Sequence, residues 1–348
     1  MMNIAVLFGG KSSEHEVSRN SVCNVLNCLN KEKYTVYTVG ITKEGAWYLT
    51  NATQDEIRSG EWEMRADNEA AWILPDPSVK GLYTASGKVL PVECAYPVLH
   101  GKNGEDGAVA ALFQLAGIPQ VTTTMTSAAN SMDKALTKLI CENAGIPQAA
   151  WTFVYSRDLA DVDAVVKKIE TALPYPIFVK PASAGSSVGI SKCHDRAELI
   201  EGLKVAAEHD FKIVLEETVI GREVEIAVLG NEEPIASVVG EIAPAAEFYD
   251  YDAKYNDANS LLFIPARISE GESELLRETA KKVFCAMECT GLARVDFFLK
   301  ENGQPIFNEL NTIPGFTNIS MYPKLMEATG ISGEELLDRL ITLAIERE

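Results

Sequence analysis

Hydrophobic and polar positions alternate along this chain in two distinct ways. Residues 4–8 (IAVLF) are a short run without polar interruption, the pattern of a parallel strand buried on both faces. Gly9-Gly10-Lys11-Ser12 reads as a turn, and Ser13-Glu14-His15-Glu16 as a capping box, with Ser13 at the N-cap and Glu16 three positions on. A helix is predicted from there toward Leu29, then a strand over 35–42. Residues 51–80 are polar and irregular and predict no element. Residues 95–99 predict a strand ending at His100-Gly101, and 107–115 a helix stopped by Ala116-Gly117-Ile118-Pro119. The same terminator, Ala144-Gly145-Ile146-Pro147, closes a helix carrying Lys134 and Lys138.

Beyond residue 150 the strands become hairpin-like, over 177–180, 188–193, 212–216, 223–229 and 235–242. Helices are predicted near 195–208, 270–289 and 333–346. The pattern predicts an α/β N-terminal domain followed by α+β lobes. A stretch over 244–262, rich in Tyr, Asp and Ala, predicts a functional or mobile loop.

Strands over 293–299 and 305–310 flank Asn302-Gly303, the signal of a two-residue hairpin turn. That register sets Asp296 opposite Glu309 and Arg294 opposite Asn311, all on one face. Val295, Phe297, Leu299, Ile306 and Leu310 fall on the other. Opposed carboxylates repel unless neutralised. Asp, Glu and Asn oxygens suit a hard cation such as magnesium, which commonly shares phosphate ligands. An Arg294–Asp296–Glu309 ion-pair network satisfies the same residues. Lys180-Pro181-Ala182-Ser183-Ala184-Gly185-Ser186-Ser187-Val188-Gly189 is a small-residue loop able to bring backbone N–H groups to phosphate, or a plain tight hairpin. The segment 216–223 is either a solvated connection or a place where Glu223 meets a ribose. Neither a Walker loop nor a GxGxxG dinucleotide fingerprint is present, so an NAD-dependent oxidoreductase is poorly supported.

Composition narrows the classes. The 348 residues suffice for two or three domains, and 47% hydrophobic with 23% charged residues is ordinary for a globular protein. The net charge of −19 disfavours nucleic acid and anionic membranes as partners. No apolar run has the length of a membrane span, and the N-terminus lacks signal-peptide features, so a cytoplasmic location is expected. Seven scattered cysteines without CxxC spacing read as reduced core thiols.

The motifs FGGKSSEHEVS (8–18), VLHGKNGEDG (98–107), MDK (132–134), VKPASAGSSVGISK (179–192), EETVIGREVE (216–225), FYDYDAKY (248–255), ARVDFF (293–298) and NELNTIPGFTNISMYP (308–323) occur in order across almost the whole length. Together they resemble the ATP-grasp carboxylate–amine ligases and, within them, the D-alanine–D-alanine ligases. The resemblance implies a Rossmann-like, pre-ATP-grasp N-terminal domain (1–122), then two α+β lobes forming an ATP-grasp fold (123–215 and 216–348), with 244–262 as the lid. It implies that ATP phosphorylates the carboxylate of one D-alanine, and that the amine of a second displaces phosphate, as in peptidoglycan precursor synthesis.

The resemblance also implies roles residue by residue. Asp296, Glu309 and Asn311 would hold two Mg²⁺ (or Mn²⁺) ions. Lys134, Lys180 and Ser187 would contact ATP phosphates, and Lys254 would reach the γ-phosphate. Glu216, Glu217, Val219 and Glu223 would form the adenine and ribose segment, with Glu223 on the ribose. Arg294 and the Gly315 N–H would be oxyanion donors. Glu14 would receive the first D-alanine's ammonium and link through Ser186 to Tyr255 on the lid. His100 and Glu105 would belong to the first-substrate site, and Ser320 and Met321 to the second. Glu14 also has a plain reading as a helix-dipole partner, Lys134 as an exposed helix lysine and His100 as a satisfied strand-end histidine. Tyr255 and Met321 point to D-alanine as second substrate, while Ile319 and Ala184 depart from relatives. The alternatives are a D-alanine–D-serine ligase of the same fold and a catalytically inactive nucleotide-binding module. A homodimer through the N-terminal region is implied by the resemblance alone.

Overall fold

A computed structural model describes residues 1–243 and 261–347. The first sheet holds β1 (Met2–Gly9), β2 (Tyr34–Ile41), β3 (Trp47–Leu49), β4 (Glu69–Ile73), β5 (Gly81–Thr84), β6 (Val89–Pro91) and β7 (Cys94–Val98), in the order β6-β5-β4-β3-β2-β1-β7. β1 runs parallel to β2 and β7, and the remaining pairs are antiparallel. The second sheet, antiparallel, holds β8 (Trp151–Tyr155), β9 (Ile177–Pro181), β10 (Ser191–Cys193) and β11 (Lys212–Glu217), in the order β10-β9-β11-β8. The third holds β12 (Arg222–Gly230), β13 (Ile235–Ala236), β14 (Gly240–Ala243), β15 (Leu261–Phe263), β16 (Gly291–Leu299) and β17 (Pro305–Asn311). Its order is β15-β14-β12-β16-β17, with β13 paired to β12. The helices are α1 (His15–Cys28), α2 (Gln54–Ser59), α3 (Ala108–Ala116), α4 (Met125–Met132), α5 (Lys134–Asn143), α6 (Val162–Ala172), α7 (Arg196–His209), α8 (Glu270–Ala286), α9 (Met321–Ala328) and α10 (Gly333–Glu346).

β1 is fully buried from Ile4 to Phe8, as its unbroken apolar run requires. Ile4, Val6 and Phe8 pack with Val22 and Val25 of α1, with Trp62, and with Leu336, Leu337, Leu340 and Ile341 of α10. Ala5 and Leu7 face a second layer with Val39 and Phe113. The last helix thus shares a core with the first strand, and this joins the two ends of the chain around the site.

Four local expectations change. Ser13 does not cap α1. The helix begins at His15 with Glu14 in the N-cap position and no side-chain cap bond, and Glu16 pairs instead with Lys43. Residues 51–80 are structured: a capping box between Thr53 and Glu56 starts α2, Trp62 is wholly buried, and β4 follows. The predicted strand 188–193 shortens to β10 because Gly189 is left-handed, at φ 72°, as are Ser186 and Ser187 before it, at 51° and 59°. The predicted strand 235–242 splits into β13 and β14.

The β16–β17 hairpin corrects its own turn. Lys300 N donates to Gln304 O at 3.0 Å, and Gly303 N to Lys300 O at 2.9 Å. The loop therefore has one more residue than a two-residue turn, with Gly303 at φ 78°. The register next to it pairs Leu299 with Pro305 and Phe297 with Phe307. A bulge at Asn308 then absorbs one residue, which restores Asp296 opposite Glu309 and Arg294 opposite Asn311. On the turn side of the bulge Phe307, rather than Ile306, joins the core with Phe297.

Candidate active site

The second and third sheets enclose a cavity of about 850 Å³, closed at one end by the N-terminal sheet's loops. β9 and β11 supply one wall, and β12, β16 and β17 the other. The loop after β9 and the 313–315 turn reach in from the sides, and Glu14, His100 and Glu105 form the far end.

At the end between β9 and β11, Glu216 is only 5% exposed and sits between two lysines. Lys180 Nζ lies 3.0 Å from its Oε2, and Lys138 Nζ 3.3 Å from its Oε1. Burial would raise this carboxyl, but Lys138 and Lys180 outweigh it and hold it down at about 2. Burial also pushes the Lys138 ammonium downward, against the pull of Glu216. Lys180 lies over the Phe178 ring at 5.7 Å. Lys134 Nζ donates to Ala184 O at 2.7 Å, tying α5 to the Gly/Ser loop. Glu217 turns away to accept from Ala150 N at 2.9 Å, leaving the backbone from Thr218 to Gly221 along the cavity with Val219 and Glu223.

On the opposite wall Arg294 donates Nε to Asp296 Oδ1 at 2.8 Å and Nη2 to Oδ2 at 2.6 Å. It also meets Glu225 Oε2 at 3.0 Å, across β12. Burial opposes its charge, but Asp296 and Glu225 more than compensate and raise its pKa well above the usual value. Asn311 Nδ2 donates to Asp296 Oδ2 at 3.1 Å, which turns the Asn311 carbonyl oxygen away from Asp296. The ion-pair network and the hard-cation donor set meet at Asp296, which pairs with Arg294 and stands opposite Glu309. Two opposed carboxylates and an amide oxygen on neighbouring strands fit magnesium, and Arg294 satisfies part of that charge. No cluster of three or more His, Cys, Asp or Glu ligands occurs among the described residues.

At the far end Ser186 Oγ donates to Glu14 Oε1 at 2.6 Å, joining the Gly/Ser loop to the N-cap of α1. The carboxylate is so closely packed that a Cβ on Gly101 would lie 2.4 Å from its Oε2, and one on Gly185 2.9 Å. Glu105 accepts from Gly101 N at 2.7 Å and Ile313 N at 3.3 Å. Burial, with the Glu14 charge adding to it, pushes the Glu105 carboxyl up to about 8 despite those N–H groups. His100 is buried with both nitrogens engaged, Nδ1 to Ile313 O and Nε2 to Ser21 Oγ, each at 2.9 Å. A carbonyl only accepts, so Nδ1 carries the proton and Nε2 accepts from the hydroxyl. Burial, ahead of the opposing Glu14 charge, lowers the imidazole's pKa and keeps it neutral.

The cavity thus gathers Glu14, His100, Glu105, Lys134, Lys180, Ser186, Ser187, Glu216, Glu217, Val219, Glu223, Arg294, Glu309, Asn311 and Gly315. Asp296 lies behind Arg294. Ser320 stands beside Gly315, with its Oγ 2.9 Å from where a Gly315 Cβ would be, and hydrogen bonds to Thr317 N at 3.0 Å. Met321 is buried in the core shared by β1 and α10, with its Sδ against Gly240, and does not line the cavity. Lys254 and Tyr255 fall outside the described residues. Sequence reasoning missed Lys138 and Glu225. Strand parity with Glu223 could have found Glu225, and the i,i+4 spacing from Lys134 could have flagged Lys138. It also missed Glu241, held at about 2 by Arg267 and Arg222 against its burial, at the cavity's edge.

A family profile described as D-ala D-ala ligase N-terminus matches residues 3–123, and one described as D-ala D-ala ligase C-terminus matches residues 140–342. The chain belongs to the D-alanine–D-alanine ligase family. A relative named D-alanine--D-alanine ligase from Acetivibrio thermocellus is 49% identical, over 99% of this chain and 96% of its own. Among solved structures, the VanG D-Ala:D-Ser ligase from Enterococcus faecalis superposes at TM-score 0.91 with 39% identity, covering 99% of each chain. The D-alanine-D-alanine ligase from Coxiella burnetii superposes at 0.86 with 33% identity, covering all of this chain and 96% of that one. The family fold is the ATP-grasp fold expected from the motifs. No helix among the described residues is long and apolar enough to cross a membrane.

Proposed function

We propose that this chain is an ATP-dependent ligase that joins two D-alanines into D-alanyl-D-alanine for peptidoglycan precursors. The observation that carries the reading is the single cavity in which Glu14, joined to Ser186, faces Lys180, Arg294, Glu309 and Asn311. The adenine and ribose lie along the 216–223 segment with Glu223 on the ribose, while Lys134, Lys180 and Ser187 meet the phosphates. Lys254 and Tyr255 keep the lid roles that the motif resemblance implies. Asp296, Glu309 and Asn311 would hold two Mg²⁺ (or Mn²⁺) ions, which when bound neutralise charge on the triphosphate.

Glu14 holds the ammonium of the first D-alanine, and a carboxylate oxygen of that D-alanine attacks the γ-phosphorus, releasing ADP. The amine of the second D-alanine then attacks the acyl carbon, loses a proton, and displaces phosphate. Negative charge develops on the acyl oxygen in that step. The Arg294 guanidinium and the Gly315 N–H would serve as its donors, a kind of contact worth a few kcal/mol. Ser320 binds the second substrate's carboxylate. Met321, with Tyr255, keeps the preference for D-alanine that the motif resemblance implies. Residues 1–122, 123–215 and 216–348 serve as N-terminal domain, central lobe and C-terminal lobe of a cytoplasmic homodimer.

Incubation with ATP, Mg²⁺ and D-alanine, alone and with excess D-serine or D-lactate, tests the reading by product mass. D-alanyl-D-alanine as main product supports it. A predominant D-Ala–D-Ser product favours the second reading, which rests on the likeness to the D-Ala:D-Ser ligase. No ATP turnover with any D-amino acid refutes both.

A further inference from the structure

The 313–316 turn carries the Gly315 N–H, yet it makes its strongest backbone contacts with the N-terminal domain. Ile313 O accepts from His100 Nδ1 at 2.9 Å. Phe316 N donates to Ser21 Oγ at 3.2 Å, and Phe316 O accepts from Asn24 Nδ2 at 3.0 Å. The same Ser21 hydroxyl donates to His100 Nε2 at 2.9 Å. Ser21 and Asn24 lie three residues apart on α1, hence on one face, and Ser21 is fully buried.

These bonds bracket one peptide. The Ile313–Pro314 unit is held through its carbonyl, and the Gly315–Phe316 unit through its N–H. The Pro314–Gly315 unit lies between them, with φ of Pro314 fixed by its ring. Its N–H is therefore aimed by contacts on both sides, and both run through one hydroxyl. We propose that Ser21, supported by Asn24, is a positioning residue that sets the direction of the Gly315 N–H for the ligation step. The proposal rests on the role given to Gly315 above. It assigns α1 two tasks: its N-cap carboxylate holds substrate, and its second turn aims the oxyanion donor. Loss of the hydroxyl leaves His100 Nε2 and the Phe316 N–H unpaired in a buried place, so the turn shifts to find other partners.

A misdirected oxyanion donor weakens the tetrahedral species and leaves nucleotide binding alone. The test compares wild type, Ser21→Ala, Ser21→Thr and Asn24→Ala. The readouts are kcat for dipeptide formation, the affinity of a phosphinate mimic of the tetrahedral adduct, and the affinity of a non-hydrolysable ATP analogue. Ser21→Ala is expected to lose about 10–100-fold in kcat and in phosphinate affinity. Its nucleotide affinity should stay within about twofold, and Ser21→Thr should recover most of the loss. Unchanged kcat and phosphinate affinity in Ser21→Ala overturns the proposal. Equal losses in nucleotide and phosphinate affinity, or no recovery in Ser21→Thr, do so as well. If Ser21→Ala fails to fold, Asn24→Ala must show the same split, and its indifference is equally fatal. A wild type that makes no dipeptide overturns the functional reading and this inference together. An active wild type with an indifferent Ser21→Ala overturns this inference alone.

Discussion

Replacing Glu216 with Gln removes the anion between Lys138 and Lys180 and leaves two ammonium groups facing each other in a buried place. The carboxyl falls from 4.5 to about 2 in the folded protein. That shift corresponds to about 3 kcal/mol of stabilisation at neutral pH, with no discount for exposure because Glu216 is almost fully buried. The folded pKa lies below the unfolded one, so this stabilisation is complete above about pH 4.5 and is lost as pH falls toward about 2. For a chain of 348 residues, about 3 kcal/mol lowers the melting midpoint by about 4 °C. Lys138, 2% exposed, bears most of the damage because it has no route to water. A double variant, Glu216→Gln with Lys138→Met, removes the stranded charge and should melt above Glu216→Gln alone. Thermal unfolding at pH 7 of wild type, both single variants and the double variant decides this. Additive losses would refute the coupling. So would a Glu216→Gln protein with a wild-type midpoint.

Two further outcomes follow from the same geometry. Asp296→Ala should abolish turnover, read as phosphate release, because it removes both a cation donor and the carboxylate that orients Arg294; near-wild-type rates would contradict the metal assignment. Glu105 is raised to about 8, so the folded state holds a proton that the unfolded chain releases near pH 4.5. This group therefore lowers stability as pH rises from about 4.5 to about 8, and Glu105→Gln should remove that slope in denaturant titrations across the range.

Much of the fold was legible where one residue pattern forces one environment. The unbroken run 4–8 had to be buried on both faces, and α10 and Phe113 cover its two sides. The pairing of Asp296 with Glu309 was legible for a partly mistaken reason. The turn is one residue longer than Asn-Gly suggests, and the Asn308 bulge restores the register. A bulge leaves little mark in a single strand's pattern because it is a property of the pair. The capping box expected at Ser13 fails because the helix starts at His15 and Glu16 pairs with Lys43 of a distant segment, while Glu14 meets Ser186, a contact 172 positions away. Residues 51–80 looked irregular because their elements are one or two turns long and are fixed by Thr53, Glu56 and the buried Trp62. Lys138 was passed over because its i,i+4 spacing from Lys134 is the only local sign, and the partner that holds it, Glu216, comes from β11. Met321 was assigned to the second subsite by position in a motif, yet its side chain sits in the core.

The central claim is that the first D-alanine's carboxylate oxygen is transferred to the γ-phosphorus and leaves with it. D-alanine labelled with ¹⁸O in both carboxylate oxygens, incubated with ATP, Mg²⁺ and the protein, tests this by mass analysis of the released phosphate. One ¹⁸O per phosphate, together with D-alanyl-D-alanine, is the predicted result. Dipeptide formed with unlabelled phosphate would contradict the acylphosphate route, and labelled phosphate without dipeptide would contradict ligation.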